Sequence, residues 1–175
     1  MATKFLCFQA EMKRYIACTR FNNDTYRENQ LYRALKNETV IYGSPLKIRS
    51  IYPPECILFV AEMNNTTNQI EGIGCICNKL IFNTHKIYSN IDYNRYIYRG
   101  NYWLSRDSLL ATDADIVIML ENALFKKKTH LKCRVGITVI TDKLLSKWEY
   151  RHDELLAKIR TAFQRLTAES VVEKI

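Results

Sequence analysis

Tyr96, Tyr98, Tyr102 and Trp103 stand among Arg95, Arg99 and Arg106, so flat π faces and guanidinium groups alternate along one short stretch. That combination suits stacking on unpaired bases while pairing with phosphates. It also suits a strand with an aromatic core face and a solvated cationic face, and for the tyrosines a core or rim place is the expectation. Lys126, Lys127, Lys128, Lys132 and Arg134 add a charge of +5 between residues 126 and 134, where no acid occurs. Residues 78–106 sum to +4, with Lys79, Lys86, Arg95, Arg99 and Arg106 set against Asp92. Together these two stretches exceed the +8 of the whole chain. Clustered charge of this kind is the footprint of a polyanion partner. The triple lysine has a second explanation, because cations just after a helix complement its dipole.

Reaction chemistry is far less visible. The sequence contains no phosphate-binding loop, dinucleotide fingerprint, nucleophile elbow or His-Glu-x-x-His motif. His85, His130 and His152 are far apart in the chain. Cys7, Cys18, Cys56, Cys75, Cys77 and Cys133 each read as sitting in an apolar strand context, where buried, inert free thiols are expected. Cys75 and Cys77 have no second Cys/His pair at zinc-ligand spacing, so no metal site is predicted. The expectation is a binding site with no catalytic residue and no cofactor.

The elements that would position such a site centre on residues 56–77. The apolar run Ile57-Leu58-Phe59-Val60, a polar turn from Asn64 to Gln69, and Ile70-Glu71-Gly72-Ile73-Gly74 read as a β-hairpin. Glycine within a strand marks a bulge, a bend or a close backbone approach, and the two glycines predict a strongly curved arm. A strand at Tyr15–Cys18 is followed by a helix capped by Asn23 or Asp24 and ended by Asn37. A short strand at Val40–Tyr42, an aromatic strand leading to Leu104, a helix around Ile116–Leu124 and a strand at Val135–Ile140 complete the core. Leu144, Leu145, Trp148, Leu155, Leu156, Ile159, Phe163 and Leu166 predict one long amphipathic C-terminal helix. With 175 residues, 47% apolar and 25% charged, one domain with a sizeable core is expected. No apolar run reaches membrane-span length, and Met1 to Phe8 is too short and polar-flanked for a secretory signal. An intracellular protein without membrane contact is the expectation.

The order strand, helix, apolar hairpin with a glycine-bearing arm, then Tyr98-Arg99-Gly100-Asn101-Tyr102-Trp103-Leu104, resembles the PUA-like superfamily, which includes the YTH, EVE and ASCH domains. The similarity covers about residues 12 to 140. The segment Leu124-Phe125-Lys126-Lys127-Lys128-Thr129-His130-Leu131-Lys132 and the Asn-, Ile-, Lys- and Tyr-rich composition resemble proteins of large DNA viruses, which implies an infected host cell as the setting. The resemblance implies an α+β fold, a small curved mixed β-barrel over residues 1–140 with flanking helices, and the helix of 141–175 packed on the same domain. It further implies a pocket for an unstacked, possibly modified base at the first strand-to-helix junction. Carried over by position, Thr19, Arg20, Asn22 and Asn23 would read the base, with Trp103 and Tyr102 as its aromatic wall. Tyr42 stands where the YTH pattern has a tryptophan. Arg95, Arg99, Lys126, Lys127, Lys128, Lys132 and Arg134 would hold the phosphates of RNA or single-stranded DNA. Two other readings compete: an ASCH-like hydrolase or nuclease using Lys and Glu or Asp as acid and base, and a viral interaction factor that binds a host protein or itself through the C-terminal helix.

Overall fold

The chain folds as an α+β structure, described by a computed structural model over residues 12–82, 85–126 and 130–172. Its centre is a five-stranded mixed sheet built on β1 (Arg14–Phe21), β3 (Ile57–Asn64) and β4 (Gln69–Cys77). The predicted hairpin is β3 and β4, running antiparallel from Ile57 opposite Cys77 to Asn64 opposite Gln69. β1 lies parallel to β3, in register from Arg14 opposite Ile57 to Phe21 opposite Asn64. The short β6 (Tyr102–Ser105) and β7 (Thr138–Val139) flank these three, giving the order β6-β4-β3-β1-β7. A separate antiparallel ribbon pairs β2 (Val40–Ser44) with β5 (Tyr96–Gly100).

β3 is buried along its entire length, as an apolar run covered on both sides should be. Ile57, Phe59, Ala61 and Met63 face one core together with Leu120 of α2 (Arg106–Phe125) and Leu155, Ile159 and Phe163 of α4 (His152–Val172). Leu58 and Val60 face a second core with Tyr42, Ile97 and Tyr98 of the ribbon. α1 (Asn23–Lys36) covers the second face by way of Tyr26, Asn29 and Arg33. The sheet is thus the middle of three layers.

Within the described residues the five-stranded sheet is open, and the closed, curved barrel is not formed. The aromatic stretch supplies two strands belonging to different sheets, since β5 joins β2 while β6 pairs with β4. The glycines of β4 make room more than they bend the strand. Glu71 and Gly72 together oppose Glu62, a local bulge. A Cβ on Gly74 would lie 2.2 Å from the Tyr42 hydroxyl, and one on Gly72 would lie 2.9 Å from the Trp103 indole. Both side chains pass over the strand to reach Glu62.

The helix ends differ from the sequence reading by local chemistry. α1 is capped by Asn22, whose side chain accepts from Thr25 N, and it ends at Asn37 in the left-handed region. α2 begins at the Ser105 cap, well before the expected start, and Asp113 interrupts it with non-helical backbone. The single C-terminal helix is divided: α3 (Asp142–Leu145) stops at a turn where Glu149 adopts positive φ, and α4 follows. α4 packs inward, with Phe163 on Phe59. Cys18, Cys56, Cys77 and Cys133 are free, whereas Cys75 is disulfide-bonded, contrary to the expectation of free thiols throughout. No helix among the described residues is long and apolar enough to cross a membrane.

Burial raises the pKa of the Tyr26, Tyr42 and Tyr88 phenols and pushes the Cys18 thiol up to about 11. Each group is more readily deprotonated when unfolded, so its contribution is complete below the unfolded pKa and is lost as pH rises. Stability to urea is expected to hold to about pH 9 and to fall steeply from about pH 10 upward. A flat profile through that window, followed by tyrosine fluorescence, would contradict this.

Candidate functional site

β1 runs into α1 through Asn22, and the turn opens onto a cavity of about 300 Å³. Thr19, Arg20, Phe21, Asn22 and Thr25 form one side, and Gly43 of β2 and Asn65 of the hairpin turn form another. Tyr88 and Tyr93 supply the aromatic wall, and residues 132–136 close the rim. Arg20, Lys132 and Arg134 line it with no carboxylate among the lining residues. Among the described residues, no lysine and carboxylate pair of the kind a hydrolase would use lines this cavity.

The aromatic wall is held by hydrogen bonds from asparagines. Asn94 Oδ1 accepts from the Ile87 and Tyr88 backbone N–H groups, and its Nδ2 donates to Tyr88 O at 2.7 Å. Asn29 Nδ2 donates to the Tyr88 hydroxyl at 3.0 Å and to Ile41 O at 2.8 Å, which fixes the ring between α1 and β2. Tyr93 meets Tyr88 edge-on at 6.0 Å and leaves 36% of its surface exposed. Asn65 Oδ1 is a buried acceptor at the cavity with no partner among the described residues, while its Nδ2 donates to Lys132 O. Such an acceptor costs free energy until something donates to it.

The residues expected to read a base divide into two groups. Thr19, Arg20 and Asn22 do come together at this cavity. Arg20, however, is used as a clasp: its guanidinium donates to Arg134 O, Gly136 O and Thr138 Oγ1, tying residues 134–138 to β1. Burial lowers its pKa. Asn22 spends its Oδ1 on the α1 cap. Asn23 is outside the cavity lining, bound through its Oδ1 to Asn64 Nδ2.

Trp103 and Tyr102 do not line the cavity. Tyr102 packs against the α2 and α4 face of the sheet. Trp103 is on the other face, where its Nε1 donates to Glu62 Oε2 at 3.1 Å. Glu62 is fully buried; its Oε1 also accepts from Arg33 Nη2 at 2.5 Å and from the Tyr42 hydroxyl at 2.6 Å. Arg33 lies 5.4 Å from the Tyr42 ring centre and 5.9 Å from that of Trp103. Burial by itself would lower the Arg33 pKa, and the Glu62 carboxylate more than offsets it, so the guanidinium titrates above its ordinary range. The indole is thus committed to a buried ion pair that anchors α1 to the sheet.

The expected phosphate contacts are likewise scattered. Arg95 pairs with Asp92 at 2.8 Å and Arg99 with Glu38 at 3.3 Å. Lys126 is exposed at the end of α2, and Lys127 and Lys128 lie outside the described residues. Lys132 donates to Asn68 Oδ1 and lies over the Phe125 ring, while Arg134 is exposed at the cavity rim. The sequence reading passed over Tyr88, Tyr93 and Asn65. A usable signal was present: Asn90 and Asn94 alternate with the tyrosines, which marks a capped turn presenting aromatic rings. No protein-family model, curated protein or solved structure matches this chain.

Proposed function

We propose that this protein binds an unstacked base of RNA or single-stranded DNA in the cavity at the β1–α1 junction. The observation that carries the reading is the cavity's lining, where the described residues set a partly exposed Tyr93 ring and cations, without a carboxylate, around an Asn65 acceptor that has no partner among them. Tyr93 stacks on the base, Thr19 and Asn65 bond its edge, and Lys132 and Arg134 hold the adjoining phosphate. Arg20 acts through the rim that it clasps. A PUA-like relationship belongs to the same proposal, supported by the order strand, helix, strand, then apolar hairpin. In place of Trp103 and Tyr102, the stacking role passes to Tyr93.

Stacking one base on an aromatic ring contributes about 1–3 kcal/mol. Tyr93→Ala is accordingly expected to weaken oligonucleotide binding about tenfold or more in fluorescence-anisotropy titrations, with the fold intact by circular dichroism. Absence of RNA and single-stranded DNA binding by the wild-type protein at low salt would end the proposal.

A further inference from the structure

We infer that a second, larger depression beside the cavity is the track along which the rest of the strand lies. It rests on the base-binding reading above, and it extends the site to the sugar-phosphate chain. The depression holds about 600 Å³ and shares Arg134 and Val135 with the cavity. It runs between the segment after β2 and the segment joining β7 to α3.

Its two sides are cationic and its floor is apolar. Lys47 and Arg49 stand on one wall, with Lys143 and Lys147 on the other and Arg134 at the junction. All five are exposed, and no carboxylate is among the described lining residues. Arg49, Lys143 and Arg134 enter no ion pair among the described residues. This contrasts with Arg95 and Arg99, which have acidic partners. Between the walls lie Ile48, Tyr52, Ile137, Val139 and Leu144. Tyr52 is held edge-on against Tyr15 at 4.9 Å.

A single-stranded nucleic acid presents the matching pattern, with flat apolar bases along one side and a repeating negative charge along the other. An acidic amphipathic peptide shares the charge. Continuity through Arg134 favours the nucleic acid, because a strand whose base fills the cavity must carry its next phosphates past that side chain.

The test compares the wild-type protein, Arg49→Ala/Lys143→Ala and Tyr93→Ala. The probes are a mixed-sequence single-stranded nonanucleotide and dinucleotides, titrated over a range of salt. Both residues of the double variant are exposed, so folding is retained and is checked by thermal melting. Each phosphate contact on a single strand adds about 0.7 to the salt slope, so the double variant should lose about 1.4 of slope. Its nonanucleotide affinity should fall about tenfold while dinucleotide affinity stays unchanged. If Tyr93→Ala weakens binding and the double variant changes neither slope nor affinity, the track is wrong and the base cavity stands. If the double variant loses nonanucleotide affinity while Tyr93→Ala changes nothing, the track stands and the base cavity is wrong. If polyglutamate binds through Arg49 and Lys143 while the nonanucleotide is indifferent to them, the depression is a peptide groove and the inference fails.

Discussion

Glu62→Leu is expected to lower the free energy of unfolding by about 3–5 kcal/mol, a large part of what holds a domain of this size together. Three groups depend on that carboxylate: the Arg33 guanidinium, the Tyr42 hydroxyl and the Trp103 indole N–H. Arg33 is almost entirely buried, and its Nε already lacks a partner among the described residues. Removing the carboxylate takes away the acidic partner that offsets the lost hydration of this cation in an apolar layer. Equilibrium urea denaturation measures the loss. Arg33→Met added to Glu62→Leu should recover much of it, since the penalty comes chiefly from the stranded charge. A single-variant cost under about 1 kcal/mol would show that the pair contributes little. Because this pair anchors α1, and the start of α1 lines the cavity, oligonucleotide binding by Glu62→Leu should weaken as well.

Gly100→Ala is the second severe change. A Cβ at that position would fall 1.8 Å from the carbonyl oxygen of Cys75. The obstacle is backbone in the middle of β4, so no side-chain rotation relieves it. The β2–β5 ribbon would have to lift from the sheet, disturbing Tyr42 and Tyr98 in the second core. Overpacking usually costs about 1–3 kcal/mol and more where the neighbour cannot yield, so about 3 kcal/mol or above is expected. Gly74→Ala provides the comparison, because its obstacles are side chains, the Tyr42 hydroxyl at 2.2 Å first and Val40 Cγ1 at 2.8 Å second. In a Tyr42→Phe background the Gly74→Ala cost should shrink, whereas that of Gly100→Ala should not. Chemical denaturation of the three single and two double variants distinguishes the two kinds of crowding.

The hairpin, the first strand and helix, and the Asn37 stop were legible because each is written in local chemistry, an apolar run, a polar turn and a left-handed asparagine, while the cap fell on Asn22 instead of the expected Asn23 or Asp24. The glycines of β4 were legible as a place of close approach, but what approaches was not, because Tyr42 and Trp103 come from distant strands. The alternation from Tyr96 to Trp103 looked like one strand. The turn at Gly100 and Asn101 sends its halves into different sheets, which turns Trp103 toward a buried carboxylate. Charge was legible only as an excess. Arg95 and Arg99 are neutralised by Asp92 and Glu38, and Arg20 is consumed by carbonyl groups more than a hundred residues away in the chain. Lys47 and Arg49, two residues apart, meet Lys143 on one depression only through the fold. Thr19 and Asn22 were found by position, and Tyr88 and Tyr93 were overlooked because their signal is an asparagine-capped turn, overshadowed by the aromatic alternation that follows it.

The parallel seam between β1 and β3 has a bearing on how the molecule assembles. β3 and β4 are neighbours across a short turn and can zip together on their own. β1 must instead be delivered to β3 across residues 22–56, a closure whose entropy is lost before any contact repays it. The hairpin is therefore expected to form first and β1 to join it later, which φ-value measurements on Val60 and Ile16 would check. During synthesis β1 emerges before β3, so the backbone N–H and C=O groups that later pair with β3 stay unmatched until the hairpin is made.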